Sequence, residues 1–148
     1  MSGDEKTALI AGSDSDFNDL LRWILERKGI KVRCVDGGKT AVSRCLAQPP
    51  DVVFLDTSLR GLGVEEVHDN LQAFEATRMI AAIVIATSPD DFAFLPTLRP
   101  ELDRVIQKPF TREELEGALE AVLEARTRVT AGETIAQAGY HGPREWSR

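Results

Sequence analysis

Short apolar runs alternate with stretches of helical periodicity along most of this chain, and that alternation restricts its fold more than any other feature. The runs are Thr7-Ala8-Leu9-Ile10-Ala11, Lys31-Val32-Arg33-Cys34-Val35, Val52-Val53-Phe54-Leu55, Ala82-Ile83-Val84-Ile85-Ala86 and Arg104-Val105-Ile106. The first, third and fourth are almost wholly apolar, as strands covered on both faces of a parallel sheet are. The second alternates polar and apolar residues and reads as an edge strand. Between the first two runs, Phe17, Leu20, Leu21, Ile24 and Leu25 follow the spacing of one helix face, and Gly29 supplies a stop. Val42, Cys45 and Leu46 mark a second helix, closed by Pro49-Pro50, and Val64, Val67, Leu71 and Phe74 a third. The last helix is announced by Thr111-Arg112-Glu113-Glu114, a capping box followed by Leu115, Leu119 and Val122. The helix due after Ser88 meets Pro96 and Pro100, so it is expected to be short or distorted. The pattern predicts a doubly wound α/β domain, a five-stranded parallel sheet with right-handed crossovers and helices on both faces.

A chain of 148 residues suits one domain, and neither an internal repeat nor a second core is visible. The core patterning ends near Arg126. The domain is therefore expected over residues 1–126 and a mobile tail over 127–148, with Ile135, Tyr140 and Trp146 giving that tail one apolar docking face. No separate output domain is expected. A formal charge of -6 argues against general nucleic-acid binding, which needs a cationic face. No apolar run approaches the roughly 18 residues of a membrane span. The start, Met1-Ser2-Gly3-Asp4-Glu5-Lys6, lacks the layout of a secretory signal. Cys34 and Cys45 have no metal-ligand spacing and read as small apolar residues in a reducing compartment. A cytoplasmic domain is expected.

In an open parallel sheet, ligands sit beyond the carboxyl ends of the strands. Those ends carry Gly12-Ser13-Asp14, then Asp56, then Thr87-Ser88, then Lys108-Pro109. A carboxylate attacks phosphorus only when neighbouring groups neutralise and hold the phosphoryl oxygens, and a lysine and a hydroxyl on flanking strands suit that task. Each residue alone has a plainer reading: Asp56 as a turn or cap, Thr87 as a cap, Lys108 as a solvated end residue. Their order on successive strand ends favours the joint reading.

At these residues the chain resembles the receiver domains of bacterial two-component response regulators. Asp51-Val52-Val53-Phe54-Leu55-Asp56 is similar to the strand bearing the phosphoacceptor aspartate. Ile83-Val84-Ile85-Ala86-Thr87-Ser88 matches the strand that ends in a Thr or Ser, and Val105-Ile106-Gln107-Lys108-Pro109-Phe110 matches the Lys-Pro segment, whose peptide bond in the family is cis. The resemblance spans residues 6–126. It implies a sheet of order 2-1-3-4-5, Asp56 as phosphoacceptor, and Thr87, Ser88 and Lys108 as phosphoryl-binding and switch residues. It also implies Mg²⁺ as cofactor, and as partners a sensor histidine kinase or phosphotransfer protein together with a target protein.

The chain departs from that pattern at several positions. The family's acidic pair falls on Gly12 and Ser13, its proline after the phosphoacceptor on Arg60, and its switch aromatic on Val105. The remaining metal ligands are Asp56 and the backbone carbonyl of Ser58, with Asp14 a weak candidate, or Asp16, if the loop shifts. A missing unit charge at about 4 Å is worth up to ~4 kcal/mol at an effective dielectric near 20. Mg²⁺ binding is accordingly expected to be weak or absent and phosphorylation of Asp56 impaired. This is an atypical, pseudo-receiver reading of a signalling domain.

Other residues carry less. His68 is placed on the polar side of the third helix and His141 in the tail, both as surface residues. Gly12-Ser13-Asp14-Ser15 lacks the form of a nucleophile elbow. Gly37-Gly38-Lys39-Thr40 lacks the upstream glycine of a phosphate-binding loop and reads as a turn. Trp23 lies off the apolar stripe and is expected to be partly exposed. The competing reading is a small flavodoxin-like enzyme or nucleotide or flavin binder using the same crevice. The lack of a glycine-rich phosphate loop and of any catalytic group beyond Asp56, Thr87 and Lys108 disfavours it.

Overall fold

A computed structural model of the chain describes residues 5–92 and 98–130. Five strands, β1 (Thr7–Ala11), β2 (Lys31–Val35), β3 (Val52–Asp56), β4 (Ala81–Ala86) and β5 (Asp103–Gln107), alternate with helices α1 (Ser15–Glu26), α2 (Gly38–Ala47), α3 (Val64–Ala73) and α4 (Arg112–Thr130). The strands form one parallel sheet of order β2-β1-β3-β4-β5. Each matches its apolar run to within a residue or two at either end.

The pleat explains the layers, since successive side chains of a strand point to opposite faces. Leu9, Ala11, Val53, Leu55, Ala82 and Val84 face α2 and α3, where Ala41, Cys45, Val67 and Leu71 cover them. Ala8, Ile10, Val52, Phe54, Ile83 and Ile85 face α1 and α4, under Leu21, Leu25, Leu115, Leu119 and Val122. β3 and β4 are buried at every position, which is why they are apolar throughout except for Asp56 at the end of β3. The chain leaves α1 through Gly29, whose φ of +84° only glycine adopts without strain. The capping box is formed: Thr111 N donates to Glu114 Oε1 at 2.8 Å and Glu114 N to Thr111 Oγ1 at 3.0 Å. Among the described residues no helix is long and apolar enough to cross a membrane.

Several expectations need correction. α1 buries Asn18, Leu21 and Leu25, whereas Leu20 is 55% exposed. The stripe is rotated toward a polar residue that hydropathy alone passes over. Leu46 and Phe74 are also exposed, each at the C-terminal end of its helix, while Trp23 is half-exposed as expected. Gly37-Gly38-Lys39-Thr40 is the cap and first turn of α2 rather than a free turn. His68 is not a surface residue. It continues the Val64, Val67, Leu71 face and is fully buried, with Nε2 2.9 Å from Asp103 Oδ2. After Ser88 the chain makes one 3-10 turn, Pro89–Phe92, and residues 93–97 lie outside those described. α4 continues past Arg126 to Thr130, with Val129 buried, so the helix runs beyond the expected boundary. The rest of the tail, with Ile135, Tyr140, His141 and Trp146, lies outside the described residues.

Cys45 is buried as expected, while Cys34 is only half-buried. Burial pushes the Cys45 thiol up to about 12 and raises that of Cys34, so neither is a ready nucleophile.

Candidate functional site

Asp56, Lys108, Thr87 and Gly12 end or follow β3, β5, β4 and β1, so parallel pairing gathers them at one edge of the sheet. Asp56 is fully buried. Its Oδ1 accepts the N–H of Ser58 at 2.9 Å, and its Oδ2 lies 3.0 Å from Lys108 Nζ without an aligned hydrogen bond from any group. Lys108 precedes a cis peptide bond to Pro109. Its ammonium also sits 4.0 Å above the ring of Phe17, which meets Phe110 edge-on at 5.9 Å. The lysine is thus held between a carboxylate and an aromatic face.

The β1–α1 segment meets Asp56 with Gly12, which has no side chain. A Cβ on Gly12 would lie 2.9 Å from Asp56 Cβ and 3.2 Å from Asn18 Oδ1. Asn18 Nδ2 donates to the Gly12 carbonyl at 3.0 Å, and its buried Oδ1 has no partner. Ser13 ties three loops together. Its Oγ donates to Asp36 O at 3.0 Å and accepts from Arg60 N at 3.1 Å, while its N–H donates to Ser58 Oγ at 3.2 Å. Asp14 caps α1, its Oδ1 accepting from Phe17 N at 3.1 Å. Asp16 lies in the first turn of the same helix.

On the other flank, the Thr57 and Thr87 hydroxyls meet at 3.2 Å, and Thr57 donates to Asp91 Oδ2 at 2.9 Å. The same oxygen accepts the N–H groups of Thr87 at 2.8 Å and Ser88 at 2.9 Å. The Ser88 amide, followed by the Thr57 hydroxyl and the Thr87 amide, holds the Asp91 carboxyl below its ordinary range. Asp91→Ala is expected to speed amide hydrogen exchange of Thr87 and Ser88 by about tenfold, the equivalent of one lost hydrogen bond. Unchanged exchange at both amides would show that the 3-10 turn holds without it. Val105, at the place of the switch aromatic, is half-buried against the α2–α3 side of the core.

Asp56, Thr87, Ser88 and Lys108 therefore all lie at the carboxyl-end edge of the sheet. Asn18, Thr57 and Asp91 were not read from the sequence. Hydropathy alone gives no signal for a buried Asn18, and the Ser88-x-x-Asp91 spacing is a capping signal that the flanking prolines obscured.

A doubly wound sheet of order 2-1-3-4-5, with aspartate, hydroxyl and lysine on successive strand ends, defines a receiver-type protein. Residues 8–120 match the response regulator receiver domain, and the chain belongs to that family. It is similar to the alkaline phosphatase synthesis transcriptional regulatory protein PhoP of Bacillus subtilis strain 168, 25% identical over 85% of this chain and 51% of that protein. It is also similar to the phosphate regulon transcriptional regulatory protein PhoB of Pseudomonas aeruginosa, 27% identical over 80% of this chain and 52% of that protein. The chain thus spans about half the length of these relatives. Among solved structures, the receiver domain of sensor histidine kinase PA1611 from Pseudomonas aeruginosa PAO1, with a magnesium ion coordinated in its active site cleft, superposes with a TM-score of 0.72. It is 21% identical and covers 81% of this chain and 98% of that one. A sensor protein from Polaromonas sp. JS666 gives a TM-score of 0.72 at 19% identity, over 82% of this chain and 98% of that one.

Proposed function

We propose that this chain is an atypical receiver that acts through regulated contact with other proteins, with Asp56 as a phosphoacceptor of reduced capacity. The observation carrying this reading is the state of the two positions where the family places its acidic pair. Gly12 packs against Asp56, and the Ser13 hydroxyl is committed to two backbone groups.

Mg²⁺ bound to a receiver supplies positive charge beside the attacking carboxylate and the phosphoryl oxygens. The donors here do not fit a tightly held ion. Asp56 Oδ2 and the Ser58 carbonyl remain, while Asp14 is occupied as a helix cap. Mg²⁺ favours six oxygens in near-octahedral array and is usually held by one or two carboxylates with waters. Binding is therefore weak or absent. Lys108 stands as the cation at Asp56, and Thr87 and Ser88 are the groups that would hold phosphoryl oxygens. Entry of a donor requires Lys108 to swing off the buried carboxylate. Val105 has no aromatic ring with which to report the event.

The upstream partner is a sensor histidine kinase or phosphotransfer protein, and a target protein lies downstream, in the cytoplasm. Neither nucleic acid nor membrane is a partner of this domain, and its only chemistry is self-phosphorylation from a donor. The full chain incubated with Mg²⁺ and acetyl phosphate should carry a phosphoryl group on a minor fraction at most, by intact mass, and Asp56→Asn on none. Rapid stoichiometric modification of Asp56 would overturn the reading.

A further inference from the structure

At the end of the sheet opposite Asp56 lies a cavity of about 450 Å³, within the size range of small-molecule sites. It exists because α2 is short. The helix ends at Ala47, Gln48 leaves helical geometry, and Pro49-Pro50 lead the chain to β3. The beginnings of β1 and β2 on the α2 side are left uncovered.

Three cations converge there. Lys31 and Arg33 alternate with buried Val32 and share a face with Val35, whose contacts lie under α2. They stand roughly 6.6 Å apart along the edge strand. Arg44 arrives from the last turn of α2. All three are exposed, and among the described residues none has an ion pair, whereas Arg22, Lys28, Lys108, Arg112 and Arg126 each reach a carboxylate. Glu5 is the single acid on the lining, and Leu9, Ala47 and Pro50 supply apolar surface. Cations on an edge strand discourage pairing with other chains. That accounts for Lys31 and Arg33 but not for Arg44 or the concavity. Like charges around a concave wall repel one another and focus a positive potential, which an anion relieves.

We propose that this cavity binds a small organic anion, a carboxylate or phosphate carried on an apolar body. The anion sits among Lys31, Arg33 and Arg44, and its body rests on Leu9 and Pro50. Such a site gives the domain a second input, remote from the phosphoacceptor crevice and independent of its chemistry.

The test uses amide NMR shifts of the full chain titrated with 1-anilinonaphthalene-8-sulfonate and, separately, with inorganic phosphate. Saturable shifts centred on Thr7, Leu9, Arg33, Arg44 and Gln48 are expected. Phosphate, which lacks the body, should bind the same residues about tenfold more weakly. Arg33→Glu with Arg44→Glu should weaken the sulfonate at least tenfold, with an unchanged melting curve to show that the fold persists, while Asp56→Asn binds as wild type. Shifts centred on Asp56, equal binding by the charge-reversed variant, or no saturation at millimolar ligand would overturn the proposal. So would saturation by heparin alone, which would mark a polyanion surface instead.

Discussion

Asp103→Ala is expected to remove about 3–5 kcal/mol of folding stability, the cost of breaking a buried charge pair by deleting one partner. Few residues of the chain hold so many partners. Asp103 opens β5 with its side chain fully buried. Its oxygens meet His68 Nε2 at 2.9 Å, Arg99 Nη2 at 2.8 Å, Arg99 Nε at 3.0 Å and the N–H groups of Arg99 and Ala82. Arg99 in turn donates to the carbonyls of Arg78 and Ile80. One carboxylate thus ties α3, the start of β4 and the approach to β5 together. Its removal strands a buried imidazole and a guanidinium.

Burial pushes the Asp103 carboxyl up, but the hydrogen bonds and charge of His68 and Arg99 outweigh it and leave the group below its usual range. A carboxyl depressed on folding stabilises above its unfolded value of about 3.9, and that contribution is lost as pH falls through the folded value. The gap between wild type and Asp103→Ala in urea unfolding should therefore be constant near neutrality and narrow in acid. A gap below about 1 kcal/mol at pH 7 would mean that water reaches the pair.

Gly12→Asp, which restores the family's residue type at that position, is expected to cost about 3 kcal/mol and to leave Mg²⁺ affinity no tighter. The new Cβ would sit 2.9 Å from Asp56 Cβ, an atom anchored directly to the buried β3 backbone. Overpacking of this kind costs about 1–3 kcal/mol, and a second buried carboxylate beside Asp56 adds like-charge repulsion. Asn18→Ala in the same chain relieves only the 3.2 Å contact. Denaturation midpoints and calorimetric Mg²⁺ titration are the measurements. Unchanged stability with tighter Mg²⁺ binding would show that the β1–α1 loop yields freely and that glycine is no packing requirement there.

The strands were legible because apolar runs are long-range consequences written locally, a strand covered on both faces being apolar nearly throughout, whereas their order came with the resemblance to receiver domains. Asp56, Thr87 and Lys108 were legible for the same reason, since each directly follows or closes such a run. The His68–Asp103–Arg99 cluster was not. His68 and Asp103 lie 35 residues apart, and neither residue type announces that the other neutralises its burial. Asn18 was missed likewise, because a polar residue on a helix reads as solvated until the facing carbonyl, here that of Gly12, is known. Ser13 was read as a lost ligand. Its use as a clamp among three loops depends on Asp36 and Arg60 arriving from other strand ends.

The order of the sheet also sets a hazard during synthesis. β4 is Ala-Ala-Ile-Val-Ile-Ala, uncharged and buried at every position, and it becomes interior only when β5 pairs with it. Until Asp103–Gln107 has left the ribosome and docked, β4 presents an open, apolar edge of the kind that recruits other chains. The finished edge is different, because β5 brings the half-buried Arg104 and the exposed Gln107 and closes the sheet with polar side chains. A chain whose translation pauses before β5 therefore carries an apolar strand edge that the finished sheet does not.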